Sequence, residues 1–244
     1  MKIFVVVLIL INFFSSVYAN TIFYLTKIPN LEIYDLSSSN NIKYLTAEKA
    51  FRVGFRENNV QCDNADKNNI KKKFDLIKKN FDKYDKNFLK KINLKYVVLC
   101  ENLKVAEIKT AGVPNHKVKT LIMDINFDKR YFERSIHHEI FHMIDNSYPE
   151  LFKKNKWREL NNKDFSYAAC STCADLLGLN LEIINGFLTE YSMSTAEEDM
   201  AEIYSLLKTN YKETSQLIKK DKILIKKKNF LVNSLQQIDE QFIF

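Results

Sequence analysis

Glycine and proline are scarce in this chain, with four and three occurrences in 244 residues, and no repeat period runs through it. That leaves no Gly- or Pro-rich stretch to tether separate domains, and it excludes solenoids and other repeat architectures. Beyond the N-terminus there is no second apolar run of about 20 residues, which excludes a membrane-spanning helix in the body of the chain. No nucleic-acid-binding motif is present. The net charge of +7 is carried by lysines scattered among Asp and Glu, the pattern of a solvated surface, so no nucleic-acid partner is expected. Cys170-Ser-Thr-Cys173 has no second CxxC and no thioredoxin-like βαβ pattern around it, which weakens zinc-knuckle and redox readings of that pair.

What is present begins with an export signal. Residues 1–19 open on Lys2, run almost wholly apolar from Ile3 to Phe14 and close on Val17-Tyr18-Ala19, the charge, apolar length and small-residue finish of a signal peptide. The apolar run is too short for a comfortable membrane span, and no cysteine stands at the cleavage point to carry a lipid. A secreted protein is expected, with residues 20–244, roughly 225 of them, forming a single domain without stable membrane insertion, as a monomer. Four cysteines in an exported chain imply disulfides, for which three pairings exist. The expected ones are Cys62 with Cys100, which flank a helical segment, and Cys170 with Cys173.

The centre of the chain is His137-His138-Glu139-Ile140-Phe141-His142-Met143-Ile144-Asp145, which holds three of the four histidines. On a helix, His138 and His142 are four residues apart and lie one above the other, close enough to bind one metal ion together. Glu139 is one step round the same face, where its carboxylate can act on a water, as a zinc hydrolase requires. Ile136, Ile140, Phe141, Met143 and Ile144 supply apolar side chains for burial. Asp128 is the expected cap of this helix and Pro149 its end. An HExxH string alone is a weak signal, because an ordinary amphipathic helix can carry one by chance. A third ligand is needed.

Residues 66–92 place Ile70, Phe74, Ile77, Phe81, Tyr84, Phe88 and Ile92 at spacings of three and four, which predicts one long amphipathic helix with a lysine-rich outer face. Tyr96–Cys100 and Leu121–Ile125 read as strands, separated by a turn at Gly112-Val113-Pro114-Asn115. His116, beside that turn, lacks metal-ligand spacing and reads as an ordinary exposed histidine. Further on, Trp157, Leu160, Phe165 and Tyr167 are expected to be packing anchors, with a substrate-pocket wall as the alternative.

The segment Thr189–Tyr204 supplies the missing carboxylates. Ser194 or Thr195 can cap a helix whose first turns are acidic. On it Glu198 and Glu202 share a face, with the small Ala201 between them, which would let another helix approach closely. A solvated acidic helix start would account for the charges equally well. Met200, Ile203, Leu206 and Leu207, however, predict a packed face, and a carboxylate near such a face calls for a metal or another cation.

An HExxH helix followed by Glu198-x-x-Ala201-Glu202 resembles the gluzincin metallopeptidases, most specifically the zinc-binding catalytic domain of anthrax lethal factor and its relatives. The resemblance covers roughly residues 95–244, including the closing run Lys228–Phe244. It implies an α+β zincin-like fold, Zn2+ as cofactor, a peptide or protein substrate, His138, His142 and Glu198 as metal ligands, and Glu139 as general base. Tyr191, seven residues before Glu198, matches the family's catalytic tyrosine, and Asp145, three after His142, matches as well. Glu202 lies one turn beyond Glu198, suitably placed to accept the other ring N–H of a ligand histidine. The expected function is that of a secreted zinc-dependent endopeptidase. The alternative is an inactive zincin-fold binding or toxin-like module, which would need neither Glu139 nor Tyr191.

Overall fold

Val97, Val98, Leu99 and Cys100 are buried without exception, and the strand they form is the axis of the sheet. The computed structural model describes residues 28, 30–54, 59–173 and 175–244; the expected signal peptide lies outside the described residues. Among the described residues eight strands make one curled mixed sheet: β1 (Leu31–Asp35), β2 (Lys43–Ala47), β3 (Phe51–Val53), β4 (Val60–Asp63), β5 (Tyr96–Val105), β6 (Ile108–Lys109), β7 (Gly112–Asn115) and β8 (Thr120–Asp124). The first half of β5 runs parallel to β2 on one side and to β8 on the other. Its second half turns away to pair antiparallel with β4 and β6. Alternation along β5 sends Val97 and Leu99 into the main core, and Tyr96, Val98 and Cys100 into a smaller core on the opposite face, as the two-residue period of a strand dictates.

The helices follow: α1 (Lys67–Phe81), α2 (Lys86–Lys91), α3 (Phe132–Ser147), α4 (Lys154–Arg158), α5 (Ala196–Thr209), α6 (Tyr211–Ile218) and α7 (Lys222–Ile238). The α+β expectation is met. None of the described helices is long and apolar enough to cross a membrane.

Three expectations need correction. The helix predicted over residues 66–92 is two helices, because Asp85 interrupts it: its carboxylate accepts from the Asn87 and Phe88 amides at 2.7 and 3.0 Å and starts α2, as Asp66 starts α1. The apolar stripe crosses the break intact, with Phe81, Tyr84 and Phe88 all buried. Gly112–Asn115 is a strand rather than a turn, pairing antiparallel with β8. Among the described residues it pairs on that side alone, and a strand edge tolerates a proline that donates no hydrogen bond. The turn comes one step later, at residues 116–119, with Lys119 at φ 59°. Finally, Asp128 does not cap α3. The cap residue is Tyr131, without a side-chain bond, and Asp128 instead accepts from the amide and guanidinium of Arg130. Pro149 does follow the end of α3, whose cap is Tyr148.

Both expected disulfides are present, Cys62–Cys100 and Cys170–Cys173. The first joins β4 to β5 within the smaller core and closes a separation of 38 residues. Replacing Cys62 and Cys100 by alanine should lower the unfolding free energy by about 4 kcal/mol on the loop-closure account. Denaturant titration of the parent and the double variant measures the difference, and equal midpoints would refute a stabilising role for the bridge.

Candidate metal centre

Helix α3 carries His138 and His142 one turn apart, and α5 lies against it along its length, with the fully buried Ala201 on the packed face. Thr195 starts α5 by accepting from the Glu198 amide at 3.3 Å, one of the two cap residues expected. The helix periodicity that buries Met200, Ala201, Ile203 and Tyr204 also turns Glu198 toward the histidines. Glu197 instead faces Lys154, at 3.2 Å.

The result is a tight triangle. His138 Nε2 lies 2.9 Å from Glu198 Oε2, His142 Nε2 lies 3.3 Å from the same oxygen, and the two ring nitrogens are 3.1 Å apart. A tetrahedral metal with bonds of about 2.0–2.1 Å has ligand atoms about 3.3 Å apart, so the three donors are spaced to share one ion. Two imidazoles and a carboxylate also suit zinc chemically. The cluster therefore fits a zinc site.

The surrounding groups hold this set in place. His138 Nδ1 is 3.0 Å from Glu202 Oε1, and Glu202 Oε2 accepts from Thr189 Oγ1 at 2.8 Å, so Glu202 bridges the His138 ring and Thr189. Asp145 is buried one turn beyond His142 and pairs with Lys154 at 3.4 Å. Glu139 is buried beside the histidines, and β7 runs directly against it. A Cβ at Gly112 would come within 2.6 Å of Glu139 Cγ, so this glycine is what lets the edge strand approach. Tyr191, half-buried on a short 3-10 turn (Tyr191–Met193), stands with its ring centroid 6.1 Å from that of His138.

Burial opposes charge throughout the centre, and the neighbours decide the outcome. Burial alone would lower His138, but the Glu198 and Glu202 carboxylates hold it up to about 10. His142 is raised against burial by Glu198. Burial likewise opposes the charge on Glu198, yet His142 and His138 hold its carboxyl well below the ordinary range. Glu139 has no such compensation: burial pushes it up, the two histidines only partly opposing. Tyr191 is pushed up by burial, then by Glu198 and Glu139, so its phenol stays protonated.

Several residues of the centre's surroundings were not anticipated. Asp199 and Lys227 form a fully buried pair at 2.7 Å, and the same Asp199 oxygen accepts from Trp157 Nε1 and Tyr167 OH at 2.8 and 2.6 Å. Lys227 also donates to the Gly186 carbonyl at 2.8 Å, tying α7 and the preceding loop to α5. Trp157 and Tyr167 are thus packing anchors with a polar task, and the aromatic cluster was the available signal. His137 points away from the centre into the core, bonded to Tyr84 OH at 2.7 Å and Asn80 Oδ1 at 3.0 Å. His116, expected to be exposed, is half-buried in the turn after β7, and it stands apart from the metal cluster.

Comparison with known families agrees with this geometry. Residues 57–239 match the family model described as Putative zinc-binding metallo-peptidase. The match spans more than half of the chain, and the chain belongs to that family. No curated protein and no solved structure matches it.

Zinc requires its histidine ligands neutral, so protons compete with it. Because His138 is held up to about 10 and His142 is also raised, zinc binding at pH 7 should displace protons, and affinity should fall as pH is lowered. Glu198→Ala should weaken binding sharply at any pH, while Glu197→Ala should leave it nearly unchanged. Chelator competition across pH 6–8 reads both effects. An affinity that rises on acidification, or a Glu197→Ala loss equal to that of Glu198→Ala, would contradict the assignment.

Proposed function

We propose that the chain is a secreted zinc-dependent endopeptidase acting on peptide or protein substrates. The observation that carries this reading is the His138, His142 and Glu198 triangle with Glu139 buried at its side, in a chain of a zinc-binding metallopeptidase family. The two disulfides are in keeping with export. The narrower likeness to the lethal factor catalytic domain rests on the motif residues alone.

With zinc held by His138, His142 and Glu198, the chemistry supplied is polarisation of the scissile carbonyl and a lowered pKa for water. Glu139 is the proton carrier. Burial raises its basicity, so it accepts a proton from the attacking water and can deliver that proton to the amine as the C–N bond breaks. The water oxygen adds to the carbonyl carbon, and negative charge gathers on the former carbonyl oxygen. Tyr191, kept protonated, offers its hydroxyl to that oxygen. Glu202 fixes the ring of His138 by accepting at Nδ1, and Asp145 supports the far end of α3 through Lys154. Among the described residues β7 pairs with β8 alone, and Gly112 brings it against Glu139, so an extended peptide can pair with the other edge of β7 close to the proposed base.

Glu139→Gln should keep the parent's zinc content and lose nearly all turnover of a peptide library. Tyr191→Phe deletes only a hydroxyl, and loss of one such donor typically costs about 10² to 10³ in kcat; zinc content, Tm and KM should stay near the parent's. Parental turnover in Glu139→Gln would refute the mechanism, and parental turnover in Tyr191→Phe would leave Tyr191 a packing residue.

A further inference from the structure

Arg134 lies one turn ahead of His138 on α3, and only 10% of its side chain is exposed. A guanidinium taken out of water needs its charge and its fork of donors satisfied, and here two different structures do so. Nη1 donates to the Leu179 carbonyl at 2.8 Å, and Nη2 stands 3.5 Å from Glu202 Oε2. The Tyr131 ring packs against the guanidinium, 5.1 Å from its carbon, and the Tyr131 hydroxyl donates to Asn180 Oδ1 at 2.7 Å. Each of the two structures leads to a different part of the centre. Glu202 faces His138 Nδ1 at 3.0 Å. Residues 178–180 lead to Tyr191, whose amide donates to the Gly178 carbonyl at 3.0 Å, while the Gly178 amide donates to Glu190 Oε2 at 3.1 Å.

We propose that Arg134 is a positioning residue for the metal centre: one guanidinium holds Glu202 against His138 and holds the 178–180 segment that carries Tyr191. The proposal rests on the zinc-peptidase reading above. Its physical content is that two contacts diverge from one planar, rigid fork, so the ligand His138 and the oxyanion donor Tyr191 are set relative to each other by a side chain that touches neither. A lysine at this position can keep a charge near Glu202, but a single ammonium on a flexible stem cannot reproduce the divergent fork.

The test measures zinc affinity by chelator competition, and kcat and KM on a peptide substrate, in the full chain. Removing a group that supports a metal ligand typically costs about 10- to 100-fold in affinity, and Arg134→Met should weaken zinc binding by about tenfold, at the low end. In a Glu202→Gln background the same change should add less than about twofold, because the path through Glu202 is already cut. Arg134→Lys should recover zinc affinity to within about threefold of the parent while kcat stays depressed with KM little changed, since the Leu179 arm is lost. Parental zinc affinity in Arg134→Met, or losses that multiply in the double variant, would overturn the proposal. If Arg134→Met does not fold, Arg134→Lys decides: parental kcat would overturn the Tyr191 arm, and zinc binding as weak as in Glu202→Gln would overturn the Glu202 arm. A parent that binds no zinc removes the underlying reading as well, whereas a parent that binds zinc alongside unaffected Arg134 variants defeats this inference alone.

Discussion

Everything about this centre depends on the register between two helices. His138 and His142 come with α3 at no further cost, since four-residue spacing stacks them. Glu198 arrives from α5, 60 residues later, and stops 2.9 Å from His138 Nε2. Each residue turns a helix by about 100°, so a slip of one position on α5 would present Glu197 or Asp199 instead. What prevents the slip is apolar packing. Met200, Ala201, Ile203 and Tyr204 are fully buried, and the absence of a long side chain at Ala201 lets α3 close in. The buried Asp199–Lys227 pair adds a directional lock, because losing either partner would leave a charge stranded in the core.

The sheet contributes placement rather than ligands. β5 and β8, parallel and covered on both faces, form a rigid floor, and β7 is added at the edge next to α3. A side chain at Gly112 would collide with Glu139, so the strand edge and the proposed base can share one cleft only because that position is glycine. Burial then serves two purposes. It raises the basicity of Glu139, and it keeps the Tyr191 phenol protonated. The same burial would be costly for Glu198 and His138 were they not each other's counter-charge.

The cluster of His138, His142 and Glu198 that the structure brings together was legible as a candidate because its chemistry imposes spacing within single helices: His138 with His142, and Glu198 one turn before Glu202 on one face of its helix. The strand cores and both disulfides were legible too, from runs of β-branched residues and the small number of ways to pair four thiols. What escaped was tertiary. Gly112–Asn115 carries three residues typical of turns, Gly112, Pro114 and Asn115, and its edge position, where a proline costs no hydrogen bond, lets it be a strand. The break between α1 and α2 left the apolar period undisturbed, so only the capping carboxylate of Asp85 marked it. Asp199 looked like any acid in a first helical turn, and its partner Lys227 stood among many surface lysines. Arg134 and Glu202 are far apart in sequence, and nothing local to either predicts that they meet.

The claim on which the account stands is that two imidazoles and a carboxylate from these two helices bind one zinc ion. Zinc K-edge X-ray absorption of the purified chain loaded with one equivalent of zinc tests it most directly. The account predicts a four-coordinate nitrogen and oxygen shell at about 2.0–2.1 Å, with the outer scattering of two imidazole rings, lost in part when His142 is replaced by alanine. A sulfur shell near about 2.3 Å, or a shell of oxygens without imidazole scattering, would contradict it.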